Sequence, residues 1–203
     1  MEGIMNREVF FGLLRDLPPG DLLEIQRAYW LAKEAHRTQL RDGGERYFTH
    51  PRGVAVGLIT RGHLSKKEII LALLHDVVED TYTPSDAIVC LFGQEVWKNL
   101  VLLSKYIPVF DPVTGTVIGR FEKNEDDYYK ALAEAPYEVR LVKCSDRLYN
   151  LLSMREGWPI ERQRRYATKT IRTMVPIAKE TDAWFAAEIE SICKKVLATR
   201  SVH

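Results

Sequence analysis

His75-Asp76-Val77-Val78-Glu79-Asp80-Thr81 puts one imidazole and three carboxyls within about one and a half helical turns. The run ahead of it is Ser65-Lys66-Lys67-Glu68, followed by Ile69, Ile70, Leu71, Leu73 and Leu74. It predicts a buried helix, with Ser65 as N-cap and Glu68 completing a capping box. If that helix runs on to Asp80, His75 sits over Glu79 and Asp76 over Asp80, giving one continuous polar patch on a core element. Carboxylates so placed would repel one another and resist ionisation unless something positive lay between them. A divalent metal answers that need.

His75 and Asp76 alone are too few to hold a metal, so further ligands are expected elsewhere. The histidines are His36, His50, His63, His75 and His203. His50 stands out because Pro51 follows it and an amphipathic run of Val54, Ala55, Leu58 and Ile59 begins there, making Pro51 a first helical residue. Leu141 to Asn150 is helical by periodicity and carries Asp146 and Asn150 four apart on one face. Asp146 is the expected fourth ligand, beside His50, His75 and Asp76. His36, His63 and His203 are expected to be exposed.

Three blocks carry a family resemblance: Arg41 to Pro51 (RDGGERYFTHP), Leu73 to Thr81 (LLHDVVEDT) and Lys143 to Asn150 (KCSDRLYN). They resemble the signature blocks of the metal-dependent HD-domain hydrolases of the RelA/SpoT family, which remove the 3′-pyrophosphate from the alarmones ppGpp and pppGpp. The His…His-Asp…Asp pattern is common to HD proteins, whereas the Glu79-Asp80-Thr81 extension and the Arg41 block are more specific. The resemblance covers roughly residues 25 to 180 and is closest to the stand-alone small alarmone hydrolases. It implies an all-α HD-domain helical bundle occupying residues 1–203 as a single domain.

Composition agrees with that expectation. A chain of 203 residues can bury a substantial core. A net charge of +1, with no basic patch, gives no reason to expect nucleic acid or an anionic membrane as partner. Cys90, Cys144 and Cys193 are odd in number and embedded in apolar context, so they read as buried free thiols in a reducing compartment. No signal-peptide pattern and no bilayer-length apolar run is visible, which makes the protein an expected cytoplasmic one, with homo-oligomerisation left open.

Periodicity predicts further helices over Asp21 to about Leu40, Pro51 to Arg61, from Thr83-Pro84, Gln94 to Lys105, Glu125 to Glu134, Tyr137 to Met154, Pro159 to Lys179 and Thr181 to Thr199. Pro176 is expected to kink or divide the penultimate one. Trp30, Trp97, Trp158 and Trp184 fall at apolar helical positions and read as core. The exception to helix is about residues 106–121, where β-branched and aromatic residues flank Asp111-Pro112-Val113-Thr114-Gly115. That pattern predicts a short β-hairpin, placed to form a flap beside the site.

The mixed nitrogen and carboxylate donors suit several first-row metals, and the family resemblance favours Mn²⁺. Glu79 and Asp80, one turn beyond the ligands, are placed to orient water and move protons, and the resemblance makes the matching pair catalytic. Asn150 would steady the metal shell or a phosphate. The resemblance also implies that Arg41 contacts the purine and that Ser153 lies near the ribose or base. Lys143, Arg147 and Arg162 are further candidates for phosphate. Two alternatives stay open: an HD phosphohydrolase acting on adenosine alarmones, NADPH or another nucleotide, including one that neutralises a toxic alarmone synthetase, and a non-catalytic nucleotide sensor.

Overall fold

The computed structural model describes residues 6–115, 117–154 and 158–199. In chain order they form α1 (Arg7–Gly12), α2 (Pro19–Ala35), α3 (Thr49–Ile59), α4 (Lys66–Leu74), α5 (Val77–Asp80) and α6 (Ser85–Leu103). Strands β1 (Tyr106–Phe110) and β2 (Val117–Glu122) follow, then α7 (Glu125–Ala133), α8 (Tyr137–Ser153), α9 (Ile160–Lys179) and α10 (Ala183–Ala198). The architecture is the expected helical bundle with one small antiparallel sheet.

Helix α4 lies in the middle because every residue from Ile69 to Leu74 is apolar and buried, which requires neighbours all round. It packs on α2, α3, α6 and α8, while α8 also meets α9 and α10. Helix α3 comes unusually close to α8. A Cβ on Gly53 would stand 2.1 Å from the Tyr149 ring, and one on Gly57 2.9 Å from Ser145 Oγ, so two glycines four apart admit the facing helix. Ser145 Oγ then donates to the Val54 carbonyl at 2.9 Å, closing that contact with a buried hydrogen bond.

The boundaries differ from the sequence expectation at several points. The helix expected over Lys66 to Asp80 breaks at His75-Asp76, where His75 Nδ1 takes the Ala72 carbonyl at 2.8 Å and Asp76 sits at φ −95°, ψ −5°. The side chain competes with the backbone for that acceptor, and α5 restarts as a single turn. Ser65 is the N-cap residue but makes no side-chain cap bond; only the return half of the box forms, from the Ser65 N–H to Glu68. Helix α2 ends at Ala35, not near Leu40, and a Leu40–Arg46 bridge closes the following turn around Gly44 at φ +85°. Helix α3 opens at Thr49, two residues before Pro51. Helix α9 runs undivided through Pro176, which lies in its last turn.

Burial corrects five further expectations. His36 is 1% exposed, because α2 ends against the loop carrying Tyr47, and His63 is largely covered beside Asp182. Cys90 is exposed, whereas Cys144 and Cys193 are buried, and burial pushes their thiols up to about 12 and about 11. Trp30 and Trp184 keep exposed faces, covered in part by Lys33 and Arg61; Trp97 and Trp158 pack against the core. His203 lies outside the described residues.

The hairpin forms where expected. Its register pairs Tyr106 with Glu122 and Pro108 with Arg120, with a bulge between Val109 and Phe110. Asp111 shapes the turn by accepting from the Val113 and Thr114 N–H groups at 3.0 and 2.7 Å, and Gly115 takes φ +67°.

Candidate metal and active site

Three helices deliver four donors to one point. His50 comes from the first turn of α3, His75 and Asp76 from the break after α4, and Asp146 from the middle of α8. His50 Nε2 lies 3.1 Å from His75 Nε2, 3.3 Å from Asp76 Oδ2 and 3.2 Å from Asp146 Oδ1. His75 Nε2 is 3.2 Å from Asp76 Oδ1 and 3.7 Å from Asp146 Oδ1. The bond from His75 Nδ1–H to the Ala72 carbonyl fixes the tautomer, leaving Nε2 as the lone pair turned to the cluster. Two imidazole nitrogens facing each other at that distance need a proton or a cation between them. Nitrogen and oxygen donors held about 2.0–2.2 Å from one ion stand roughly 3–3.5 Å apart, so the group fits a single divalent ion. His50, His75 and Asp76 form a compact, buried set that could hold one, and Asp146 adjoins both histidines.

The electrostatics point the same way. Burial alone would lower the His75 imidazole, but the charges of Asp76 and Asp146 overcome it and push it up to about 10. Burial alone would raise Asp76 and Asp146, yet His75 and His50 hold the first, and Lys143 with both histidines the second, well below the usual carboxylate range. The cluster draws positive charge into a dry interior. Lys143, buried, supplies some of it with its Nζ 2.9 Å from Asp146 Oδ2; burial would lower that ammonium, but Asp146, with Tyr128, Glu79 and Asp76, holds it well above its ordinary value.

Asp80 stays in helical register with Asp76, its N–H on the Asp76 carbonyl at 2.8 Å. Glu79 Oε2 accepts from the Lys105 backbone N–H at 2.8 Å, just ahead of β1. Asp80 Oδ2 lies 2.5 Å from the Tyr47 hydroxyl, which is also 2.8 Å from Asp76 Oδ2. The Tyr47 hydroxyl thus faces two carboxylates at once. Burial, then the charge of Asp76, pushes Asp80 up to about 6, while burial and both carboxylates hold the Tyr47 hydroxyl well above its ordinary value.

The remaining expected residues divide into two groups. Asn150 Nδ2 donates to Asp146 Oδ1 at 2.6 Å, and its Oδ1 accepts from Arg41 Nη2 at 3.1 Å, so Arg41, Asn150 and Asp146 form one chain leading outward. The Arg41 guanidinium lies over the Tyr149 ring at 5.7 Å, and Tyr149 in turn meets the His50 ring edge-on at 5.1 Å. Ser153 is exposed one turn beyond, bonded to the Asn150 carbonyl. Arg162 stays outside the cluster, stacked on Trp158 at 3.8 Å and 3.7 Å from Asp42. Arg147 is a correction: it is buried on the far side of α8, bonded to Thr170 Oγ1 and the Tyr129 hydroxyl at 3.0 Å each, and is not available to a phosphate.

Sequence reasoning missed a supporting set. Tyr47 bridges Asp76 and Asp80; Gln39 donates to the Asp80 carbonyl at 2.6 Å while its Oε1 meets His36 Nδ1 at 2.7 Å; His36 stacks on Tyr47 at 4.7 Å. Arg120 on β2 donates to the Val78 carbonyl at 3.3 Å and to the Thr81 carbonyl, strapping both ends of α5. Tyr47 lies within the Arg41 to His50 block, a signal that was available; the others carry none.

A model of the HD domain matches residues 28–184. Among curated proteins, the chain is 30% identical over 181 residues to a GTP pyrophosphokinase of Myxococcus xanthus, covering 86% of this chain and 23% of that one. It is 34% identical over 166 residues to a guanosine-3′,5′-bis(diphosphate) 3′-pyrophosphohydrolase of Aquifex aeolicus, covering 79% and 22%. It is 29% identical over 164 residues to the bifunctional (p)ppGpp synthase/hydrolase SpoT of Escherichia coli, covering 80% and 22%. The chain thus spans less than a quarter of the length of these relatives. A solved structure of a metazoan ortholog of SpoT that hydrolyzes ppGpp superposes with a TM-score of 0.67 at 22% identity, covering 85% of this chain and 94% of that one. With the family match running from α2 into α10, and His50, His75, Asp76 and Asp146 gathered within it, the chain belongs to the HD-domain family and is of the RelA/SpoT kind.

Proposed function

We propose that the protein is a metal-dependent hydrolase that removes the 3′-pyrophosphate from guanosine alarmones, with His50, His75, Asp76 and Asp146 as metal ligands and Mn²⁺ as the ion. The observation that carries this reading is the convergence of two Nε2 atoms and two carboxylates within 3.1–3.7 Å in the RelA/SpoT signature order. A bound divalent ion supplies a nucleophilic water at neutral pH and offsets phosphate charge.

The residues around it have separable tasks. Glu79 and Asp80 orient the attacking water and take or return its proton, Asp80 being raised toward neutral pH and linked to Asp76 through Tyr47. Lys143 keeps the Asp146 carboxylate ionised and turned to the cluster. Arg41, Asn150 and Ser153 form the outward wall that receives the nucleoside, with the planar guanidinium of Arg41 suited to a purine face. The domain acts as one catalytic unit in this reading, and no helix among the described residues is long and apolar enough to cross a membrane.

The test is a panel of ppGpp, pppGpp, ppApp and NADPH incubated with purified protein and Mn²⁺ and resolved by chromatography. Conversion of ppGpp to GDP and pyrophosphate is expected. Rapid turnover of ppApp or NADPH with ppGpp untouched would move the substrate to another nucleotide, and no turnover of any of them with the ion retained would leave a sensor.

A further inference from the structure

A cavity lies outside the metal cluster. It measures about 700 Å³ and is lined by α2 (Trp30, Lys33, Glu34), by His36 and Arg37, and by the Arg46-to-Arg52 turn into α3. None of the four candidate ligands, nor Arg41 or Asn150, lines it. That volume is within the range of small-molecule and cofactor sites.

Its chemistry is selective. Lys33, Arg37, Arg46 and Arg52 face it with Glu34 as the one carboxylate, and Glu34 is paired with Arg37 at 3.3 Å. Lys33, Arg46 and Arg52 have no carboxylate partner among the described residues; Arg46 bonds only the Arg37 carbonyl, and Arg52 reaches the Tyr29 hydroxyl at 3.5 Å. Three unneutralised cations beside one cavity favour a multiply charged anion. Trp30, 46% exposed, and the Phe48 ring give it an apolar wall.

His36 also lines the cavity. Gln39 gives its amide N–H to the Asp80 carbonyl, so its oxygen faces His36 Nδ1, which must be the protonated nitrogen. His36 Nε2 and Arg52 Nε are both buried without a hydrogen-bond partner. Phosphate oxygens to meet the cations and a flat ring to lie against Trp30 and Phe48 occur together in a nucleotide.

We propose that this cavity is a second, metal-independent binding site for a nucleoside di- or triphosphate. Gln39 holds His36 at one end and the Asp80 carbonyl at the other, so His36 in the cavity lining stands two hydrogen bonds from the Glu79-Asp80 turn. The site goes beyond the proposed hydrolysis, and its test reads binding and no turnover. GDP, and separately inorganic pyrophosphate, are titrated into the protein in excess chelator by calorimetry. Saturable GDP binding is expected, weakened about tenfold or more in Lys33→Glu/Arg46→Gln and unchanged in Arg41→Ala and in the distant charge reversal Arg165→Glu. Trp30→Phe should remove the accompanying change in tryptophan fluorescence. Loss of binding in Arg41→Ala would place the nucleotide in the catalytic site. Pyrophosphate binding as tightly as GDP, or no GDP binding at all, would equally overturn the proposal.

Discussion

The ligand cluster and the Glu79-Asp80 turn are neighbours built on opposite principles. His50, His75 and Asp146 are buried on α3, α4 and α8, three mutually packed helices whose spacing is set by Gly53 and Gly57 against α8. The turn is a single helical turn that buries Val77 and Val78, while its acidic end is held by hydrogen bonds from outside the core: Lys105 on Glu79, Tyr47 and Gln39 on Asp80, Arg120 on both ends. A cation site needs fixed donors, and packing fixes them; proton transfer needs a group near water whose position is tuned by a few bonds. Substitutions in the first region should therefore remove the ion, and those in the second should spare it and change rate.

The largest effect is expected in the cluster. His75→Ala and Asp146→Ala should lose the ion and nearly all turnover, read by metal content per chain and by rate. A chelator should do the same to the unaltered protein. Metal retention should also fall as pH is lowered, because the imidazoles must be neutral to bind an ion and protons compete for the same nitrogens.

Glu79→Gln comes next, and is the sharpest test of the division: metal content unchanged, turnover down by roughly 10²–10⁴-fold. Normal kinetics in this variant would return Glu79 to a merely structural part. Arg120→Ala should give a smaller loss, about tenfold in kcat, with ion and KM retained and partial rescue by Arg120→Lys, since charged hydrogen bonds to two backbone carbonyls are lost. Loss of the ion in Arg120→Ala would mean that the two regions are not separable. The smallest effect belongs to Arg41→Ala, which should raise KM more than it lowers kcat if the contact is equally strong in ground and transition states.

Much of the first region was legible in the sequence, for a physical reason. Ligands on core helices need an apolar run behind them and a fixed residue type, and Ile69–Leu74 ahead of His75-Asp76 supplies both. The helix break was not legible, since the 3.6-residue pattern continues through it and only the His75 bond to Ala72 reveals the interruption. Arg147 misled because a basic residue next to a ligand serves a phosphate or a buried Tyr-Thr pair equally well in sequence. The supports of the turn come from a helix end, a loop and a strand without periodicity, so His36, Gln39 and Arg120 were invisible until the fold brought them together. Gly53 and Gly57 did carry a readable signal, two small residues one turn apart on a helix that must approach another closely.

The most direct test of the proposed chemistry is hydrolysis of ppGpp with Mn²⁺ in ¹⁸O-enriched water, with the products separated and their isotope content read by mass spectrometry. Attack on the phosphorus bonded to the ribose 3′ oxygen should give intact pyrophosphate carrying one ¹⁸O and unlabelled GDP. Two successive orthophosphates, or label in the nucleoside, would contradict it.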